Sequence, residues 1–301
     1  MKLLIAGATG LIGKALVAEC REAGIEVHYL TTQKEKIEEK EGCRGFFWNP
    51  KKGILDAEAL EGVSAIINLA GASITKRWTS RYKKVLLQSR IETARALHQA
   101  LQQNRHQVLH YISASGISIY PSSLVQLYHE NETAISEHFL GAVVVQWEAA
   151  ADAFEGLGIK VTKVRTGIVL SKDDGALPKM LKPIKMGLGA ALGTGEQWQS
   201  WIHISDIAGI YLHLLQHQLE GVFNAVSPNP VTNKKMTLLL AQQYQKNIWL
   251  PNIPKWFLRL ILGEMADIAL ESQLVASEKL LDAGYRFHFV NLENALEDLL
   301  G

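Results

Sequence analysis

The sequence has few cysteines, no long apolar run and almost no excess charge. Cys20 and Cys43 are its only cysteines in 301 residues, and they do not show the spacing of a metal-binding pair. No apolar segment reaches the roughly 18 residues that a membrane-spanning helix needs. The apolar N-terminus runs into a glycine turn, which is not the pattern of a signal peptide. We therefore expect a reduced, cytoplasmic protein.

The charge balance also narrows the expected partners. The chain has 31 basic and 30 acidic residues, which gives a formal net charge of +1. This balance does not favour a nucleic-acid or membrane-surface partner. We expect a small-molecule substrate instead, and the sequence is compatible with a homodimer.

A glycine-rich turn near the N-terminus is the most informative feature that is present. Residues 3–6 are an apolar run typical of a buried strand, and a helical pattern extends over residues 14–23. Between them, Gly7 permits a tight turn, Gly10 a close approach to a pyrophosphate, and Gly13 close packing of helix against sheet. The helix N-terminus adds free N–H groups and a positive dipole end. We interpret this unit as a dinucleotide site; a turn without a ligand is the alternative.

Strand and helix patterns alternate along the first half of the chain. This alternation predicts an α/β fold, namely a Rossmann-like doubly wound parallel sheet with a smaller interleaved substrate-side region and a helical C-terminal segment. The later strands are expected at 26–32, 44–48, 65–69, 108–113 and 159–170, and the main helices at about 80–103 and 143–154.

Changes in composition suggest three parts. Residues 1–170 are expected to form an NADP-binding Rossmann domain to which later segments return. Residues 171–250 contain the glycine-rich loops that should fold over the carboxyl ends of the strands, followed by a return strand and helix. Residues 251–301 are expected to form a small helical C-terminal domain, which Pro251 and Pro254 separate from the preceding part.

The end of the second predicted strand bears on the choice of nucleotide. NAD-preferring folds have an acidic residue here for the ribose hydroxyls, whereas this chain has Thr31, Thr32 and Gln33, followed by Lys34 and Lys36. The missing carboxylate favours NADP(H) over NAD(H). The two lysines either approach a 2′-phosphate or belong to a solvated charged run.

Several motifs together resemble the atypical extended short-chain dehydrogenase/reductases known as epimerase family or sugar nucleotide epimerase-like proteins. The resemblance spans nearly the whole chain, and the C-terminal fifty residues resemble the small domain of unknown function that ends those proteins. The matching segments are residues 7–13, 67–71, 76–78, 89–90, 147–148, 165–170, 187–189, 201–206 and 223–228.

The resemblance implies an NADP(H) site. Relatives commonly have arginine where this chain has Thr32, so recognition of the 2′-phosphate is expected to differ. The implied positions are Gly7, Thr9, Gly10, Leu11, Ile12 and Gly13 under the pyrophosphate, Thr31 and Thr32 near the adenosine ribose, Leu69, Ala70 and Gly71 on the adenine side, and Arg90 on a phosphate.

The Tyr-x-x-x-Lys pair of ordinary short-chain reductases is absent. None of the eight tyrosines has lysine four residues later, and the expected positions hold Leu140 and Val144, which cannot donate a proton. Ser115 and Tyr120 are the candidate substitutes. Alternatively, Ser115 makes ordinary loop hydrogen bonds and Tyr120 packs with a satisfied hydroxyl.

Further candidates are Arg165 and the residues predicted to bind substrate. Arg165 is expected to contact the cofactor or to pair with a buried acid, since its surroundings are apolar. The alternative to ligand binding is a core position for the tryptophans and a helix cap for Ser205 or Asp206.

Two functions stay open. One is hydride transfer or epimerisation on a nucleotide-linked or polar small molecule, and the other is a non-catalytic NADP-dependent sensor or interaction protein. The candidates for substrate binding are Arg77, Trp198, Trp201 and His203.

Overall fold

The strands belong to one large sheet and three small ones. The computed structural model describes residues 1–40 and 42–301. Within them the strands are β1 (Lys2–Ala6), β2 (Glu26–Thr31), β3 (Glu39–Lys40), β4 (Cys43–Asn49), β5 (Ile54–Leu55), β6 (Ala65–Asn68), β7 (His110–Gly116), β8 (Leu127–Tyr128), β9 (Lys160–Thr166), β10 (Ile168–Leu170), β11 (Trp198–Gln199), β12 (Trp201–His203), β13 (Gly221–Ala225), β14 (Val231–Thr232) and β15 (Leu274–Val275).

The helices connect these strands and form the C-terminal segment. None of them, in the part of the chain that the structure describes, is both long and apolar enough to cross a membrane. They are α1 (Leu11–Glu22), α2 (Ser80–Gln103), α3 (Phe139–Asp152), α4 (Leu177–Lys185), α5 (Ile204–Gln216), α6 (Asn233–Gln243), α7 (Lys255–Leu262), α8 (Asp267–Leu270), α9 (Glu278–Asp282) and α10 (Leu292–Leu300).

The large sheet is parallel apart from the strands at one edge. Its order is β13-β9-β7-β6-β1-β2-β4-β3, and only β3 and β5 pair antiparallel, both with β4. The chain winds outward from β1 through β2 to β4 and then crosses back to β6 on the other side of β1. Such a reversal opens a crevice at the carboxyl ends of β1 and β6. The predicted doubly wound, Rossmann-like fold is confirmed.

Side-chain alternation along β1 builds a core on each face of the sheet. Leu3 and Ile5 face one core, to which α1 and α5 contribute Leu16 and Tyr211. Leu4 and Ala6 face the other core, which α2 and α3 cover. Because successive residues of a strand point to opposite faces, a four-residue apolar run serves both layers.

A third core lies outside the large sheet. It packs the fully buried Trp201 among residues of α4, α6 and α10. The C-terminal segment also returns to the first half of the chain, because β15 pairs in parallel with β8. The loops after residue 171 and the C-terminal helices therefore share apolar contacts.

The prediction of one continuous strand over residues 159–170 was wrong. The chain bends at Gly167, and β10 leaves the large sheet to pair with β12. A Cβ atom at Gly167 would lie 2.3 Å from the carbonyl oxygen of Ser200. The neighbouring Ile168 N–H donates to that same oxygen at 2.9 Å. The contact is between residues distant in sequence, so strand propensity does not reveal it.

Three helix starts also differ from the predictions, and helix α1 begins at Leu11, three residues before the predicted Lys14. Helix α3 begins at Phe139, one turn before the predicted Val143. Helix α5 begins at Ile204, and its cap is His203, whose side chain accepts the Ser205 N–H. The predicted cap at Ser205 or Asp206 was therefore displaced by two or three residues.

Candidate functional site

The turn after β1 has the geometry that its glycines predict. Gly7 has a φ of +88°, which favours glycine. A Cβ there would lie 2.9 Å from the Ala70 nitrogen at the end of β6. The Gly10 N–H closes the turn on the Gly7 carbonyl at 3.0 Å. The loop is therefore held against the neighbouring strand end, while Thr9 and Gly10 remain exposed.

Gly13 brings α1 into direct contact with this turn. A Cβ at Gly13 would lie 2.2 Å from the Gly7 oxygen and 2.6 Å from the Ala8 Cα. Helix α1 follows Gly10 without a side-chain cap, so its first N–H groups are free to bind an anion. The residues present fit a pyrophosphate at this point.

Arg90 lies beside the same strand end. A Cβ on Gly71 would be 3.4 Å from its guanidinium carbon, and Arg90 Nη1 donates to the Ala72 and Leu86 carbonyls at 3.3 and 2.9 Å. The guanidinium also lies 4.7 Å from the centre of the Trp147 ring. The side chain is thus fixed next to the predicted Leu69–Gly71 segment.

The charge of Arg90 is not balanced by a carboxylate. The residue is only 9% exposed, and within residues 1–40 and 42–301 no acidic side chain lies at salt-bridge distance from it. Burial lowers the pKa of Arg90 to about 10. A buried cation without an acidic partner is costly, and a bound phosphate would supply the missing negative charge.

The end of β2 has no acidic group. Thr31 is buried and its hydroxyl accepts the Gln33 N–H at 3.1 Å, whereas Thr32 is exposed. The Lys34 ammonium lies 5.3 Å from the centre of the Phe47 ring. The end of β2 itself thus has no carboxylate, and Glu35 follows between Lys34 and Lys36.

A buried polar network lies at the carboxyl ends of β7 and β9. Ser115 Oγ donates to Glu148 Oε1 at 2.6 Å. Arg165 Nε and Nη2 donate to the two oxygens of that carboxylate at 2.8 and 2.9 Å. Of the two alternatives for Arg165, the structure shows pairing with a buried acid. Burial alone would lower the pKa of Arg165, but the hydrogen bonds and charge of Glu148 outweigh it and raise the pKa.

Tyr120 belongs to the same network. Its side chain is fully buried, and its hydroxyl accepts from Arg165 Nη1 at 2.9 Å and donates to Asn224 Oδ1 at 2.7 Å. Burial raises the pKa of Tyr120. This is the packing role with a satisfied hydroxyl, so Tyr120 has no proton to donate outward. Ser115 is buried too, and its hydroxyl donates to Glu148; a catalytic role for Ser115 or Tyr120 stays a prediction.

Glu148 was not predicted as a functional residue, although it lies in the matching segment 147–148. Glu148 lies on one face of α3 with Leu140 and Val144, at intervals of four residues. Glu148 follows the apolar Leu140 and Val144 on this face, four residues beyond the position expected for lysine, and this placement was the available indication.

The four predicted substrate-binding residues lie in different surroundings. Trp201 is fully buried, and its indole N–H donates to Asn229 O. His203 is buried as the cap of α5, and its Nε2 is 3.2 Å from Asp298. Trp198 is part-exposed and donates to Leu124 O, while Arg77 is exposed. The structure gives Trp198 and Arg77 solvent-facing surface, but Trp201 has no ring face open to a ligand.

A second titratable cluster joins α3 to the C-terminal segment. The His138 ring lies between two carboxylates, with Nδ1 3.6 Å from Asp267 and Nε2 3.6 Å from Glu271. The other oxygen of Asp267 accepts from Arg259 at 3.0 Å. Burial raises the pKa of Glu271 to about 7, with His138 opposing the rise and Asp267 adding to it.

We expect Glu271→Gln to change the pH dependence of stability. Because the folded-state pKa of Glu271 is raised from 4.5 to about 7, folding favours the protonated form. Its contribution is full below about pH 4.5 and is lost as the pH rises through 7. Relative to Glu271→Gln, the wild type should lose on the order of 2 kcal/mol between pH 5 and pH 8, measured by urea unfolding.

Glu278→Gln is the matched control for this experiment. Glu278 also faces a histidine, His129, but its side chain is 59% exposed. Its substitution should leave the pH dependence of unfolding as in the wild type. Parallel curves for the wild type and Glu271→Gln across pH 5 to 8 would contradict the expectation.

The fold and the glycine turn together define a dinucleotide-binding Rossmann protein of the extended short-chain dehydrogenase/reductase type. Residues 3–225 match the NAD dependent epimerase/dehydratase family, and residues 253–299 match a domain of unknown function, DUF1731. The chain belongs to the NAD dependent epimerase/dehydratase family, which confirms the resemblance drawn from its motifs.

Individual relatives cover the whole chain. An epimerase family protein of Staphylococcus aureus is 35% identical over 300 residues, covering 99% of this chain and 98% of that protein. The structure of human epimerase family protein SDR39U1 with NADPH has a TM-score of 0.86 and 30% identity, covering 100% of this chain and 99% of that one. A nucleoside-diphosphate sugar epimerase of Corynebacterium glutamicum has a TM-score of 0.80 and 29% identity, covering 100% of this chain and 58% of that one.

Proposed function

We propose that this protein binds NADP(H) and uses it in an oxidoreductase or epimerase reaction on a nucleotide-linked sugar or another polar small molecule. The observation that carries the proposal is the contact between the glycine turn and the β6 strand end, beside which Arg90 is buried with no carboxylate of the described residues at salt-bridge distance. The turn offers free N–H groups to a pyrophosphate, and Arg90 offers a fixed positive charge.

NADP(H) is preferred over NAD(H) in this proposal. Thr32 and Lys34 leave the β2 end without the carboxylate that would repel a 2′-phosphate. The human relative named above was solved with NADPH, whereas less similar neighbours, at 18% identity, were solved with NAD.

Ser115 and Glu148 provide a route for a proton in place of the missing tyrosine and lysine. When bound, the nicotinamide supplies or accepts hydride. Ser115 donates its own proton to Glu148, so its oxygen is free to accept a hydrogen bond from a substrate hydroxyl. As that hydroxyl loses its proton to Ser115, Ser115 passes its proton to Glu148. Arg165 holds the carboxylate in place with two hydrogen bonds.

A non-catalytic NADP(H) sensor is the second candidate function. It is favoured by one observation: on the face of α3 where the catalytic pair is expected, Val144 is buried and Leu140 is partly buried, and both are apolar. The two functions differ at the nicotinamide end, since a reaction needs an open polar cleft there and a sensor does not.

Titration with NADPH and with NADH tests the proposal. We expect NADPH to bind more tightly, to raise the melting temperature and to change nicotinamide fluorescence. Arg90→Met should weaken NADPH binding by at least about tenfold, since a charge-assisted contact is lost. Arg95→Met, an exposed position on the same helix, should leave the affinity unchanged.

The fluorescence separates the two candidate functions. Binding that leaves the nicotinamide emission as in water would favour the sensor. If neither dinucleotide changes the melting temperature, the proposed cofactor site is wrong.

A further inference from the structure

Two surface segments expose large apolar side chains next to each other. We refer to residues 175–195 and 244–263 together as the basic apolar surface. Leu260, Trp249 and Trp256 are the most exposed of its apolar residues, at 72%, 69% and 68%. Scattered exposed apolar residues need no explanation, but a concentration of this kind marks an interaction site. The exposed apolar residues of this surface are Met186, Leu188, Trp249, Trp256, Phe257, Leu260 and Ile261.

Backbone and side-chain contacts join the two segments into one surface. Trp249 Nε1 donates to Gly187 O at 3.0 Å. The Ile253 N–H donates to Ala191 O, and the Gly193 N–H donates back to Ile253 O, at 2.8 and 2.9 Å. Helix α7 therefore begins immediately beside the glycine-rich loop that follows α4.

All charged residues within the two segments are basic, and Asp174, Glu196 and Glu264 flank the segment ends. The two segments contain six basic residues and no acidic residue. Because the whole chain has a net charge of +1, the rest of the protein carries −5. All six side chains are exposed. The basic residues are Lys179, Lys182, Lys185, Lys246, Lys255 and Arg259.

Most of these cations have no role within the fold. Arg259 pairs with Asp267, and the Lys185 ammonium lies 4.6 Å from the centre of the Tyr244 ring. In the described parts of the chain, the remaining four lysines form no salt bridge. Their ammonium groups are therefore available to bind anionic groups of a partner.

We infer that the basic apolar surface docks this protein on an anionic lipid membrane. Exposed tryptophan and leucine on α7 insert shallowly at the headgroup boundary, and the surrounding lysines meet the lipid phosphates. Charge complementarity argues against the other simple occupant, a second copy. A two-fold dimer through this face would bring the same patch together twice and oppose six cations with six cations.

This inference concerns peripheral binding, and it is independent of the proposed catalytic function. It departs from the expectation, drawn from the near-neutral net charge, that no membrane partner exists. The net charge conceals an uneven distribution, since six basic residues and no acidic residue lie in two segments that are separate along the chain and adjacent in the fold.

Vesicle flotation with the full-length protein tests the inference. We expect the protein to bind vesicles of phosphatidylcholine mixed with phosphatidylglycerol at least about tenfold better than vesicles of phosphatidylcholine alone, and added salt should reduce the binding. Binding should also shift tryptophan emission to shorter wavelength, because Trp249 and Trp256 leave water.

Paired variants separate charge from apolar contact. Lys179→Glu/Lys182→Glu and Trp256→Ser/Leu260→Ser should each reduce binding to anionic vesicles by about tenfold or more, with the melting temperature and NADPH affinity unchanged. Lys51→Glu/Lys52→Glu makes the same charge change at two exposed lysines outside the surface and should bind as the wild type does.

Three results would overturn the inference. The first is failure of the wild type to float with anionic vesicles at low salt. The second is equal loss of binding in the Lys51/Lys52 and Lys179/Lys182 variants. The third is a wild-type dimer in solution that becomes monomeric in Trp256→Ser/Leu260→Ser, because the surface would then be a subunit interface.

Discussion

Gly13→Ala is expected to weaken NADPH binding by about 100-fold or more, which corresponds to about 3 kcal/mol. The added Cβ would lie 2.2 Å from the Gly7 oxygen and 2.6 and 2.8 Å from two backbone atoms of Ala8. No flexible side chain is present to yield, so either the turn or the start of α1 must move. Movement of either part withdraws the N–H groups proposed to hold the pyrophosphate. Nicotinamide fluorescence measures the affinity.

Gly156→Ala is the control for this substitution. A Cβ at Gly156 meets nothing within 4 Å, and its φ is not in the left-handed region. Gly156→Ala should therefore have the same NADPH affinity and melting temperature as the wild type. If Gly13→Ala binds NADPH within about twofold of the wild type, then close packing of α1 on the turn is not required for binding, and the role assigned to Gly13 is wrong.

The glycine turn was predictable because all of its determinants are local. A buried strand, three glycines and a helix lie within about twenty consecutive residues, and each glycine has a steric reason that holds in any similar unit. The doubly wound parallel sheet was predicted from the alternation of strand and helix patterns. These features depend on short sequence windows, and the structure places them where the sequence indicates.

The polar network was less predictable because its members are far apart in the chain. Ser115 and Glu148 are 33 residues apart, and Tyr120 and Asn224 are 104 residues apart. The sequence showed that Arg165 needed a partner, since its neighbours are apolar, but it did not identify which acid would provide one. The bend at Gly167 was not predicted for the same reason, because it depends on contact with the Ser200 carbonyl, which is distant in sequence.

The C-terminal segment shows this limit most clearly. Its helices were predicted, but their contacts with the first half of the chain were not. Glu271 meets His138 across more than 130 residues of sequence, and no local pattern indicates such a pair. The two basic segments can be identified in the sequence. Only the fold shows that they form one surface, because α7 lies beside the loop after α4.

Arg165→Met is expected to destabilise the fold by about 3 to 5 kcal/mol, because it leaves the buried Glu148 carboxylate without its cation. Ser115 would be its remaining hydrogen-bond donor in the network, and Tyr120 would also lose a donor. Urea unfolding followed by circular dichroism measures the change. Lys163→Met on the same strand breaks an ion pair with Asp152, whose side chain is 43% exposed. That substitution should cost about 1 kcal/mol or less.

The double variant Glu148→Met/Arg165→Met distinguishes stability from chemistry. Replacing a buried ion pair by apolar groups of similar size is often neutral, so most of the stability lost in Arg165→Met should return. The reaction should not return, because Ser115 would have no carboxylate to take its proton. A double variant as unstable as the sum of the two single variants would mean that the pair contributes no mutual stabilisation. A double variant that regains turnover would show that the Ser115–Glu148 route is not used, and would leave the network a purely structural role.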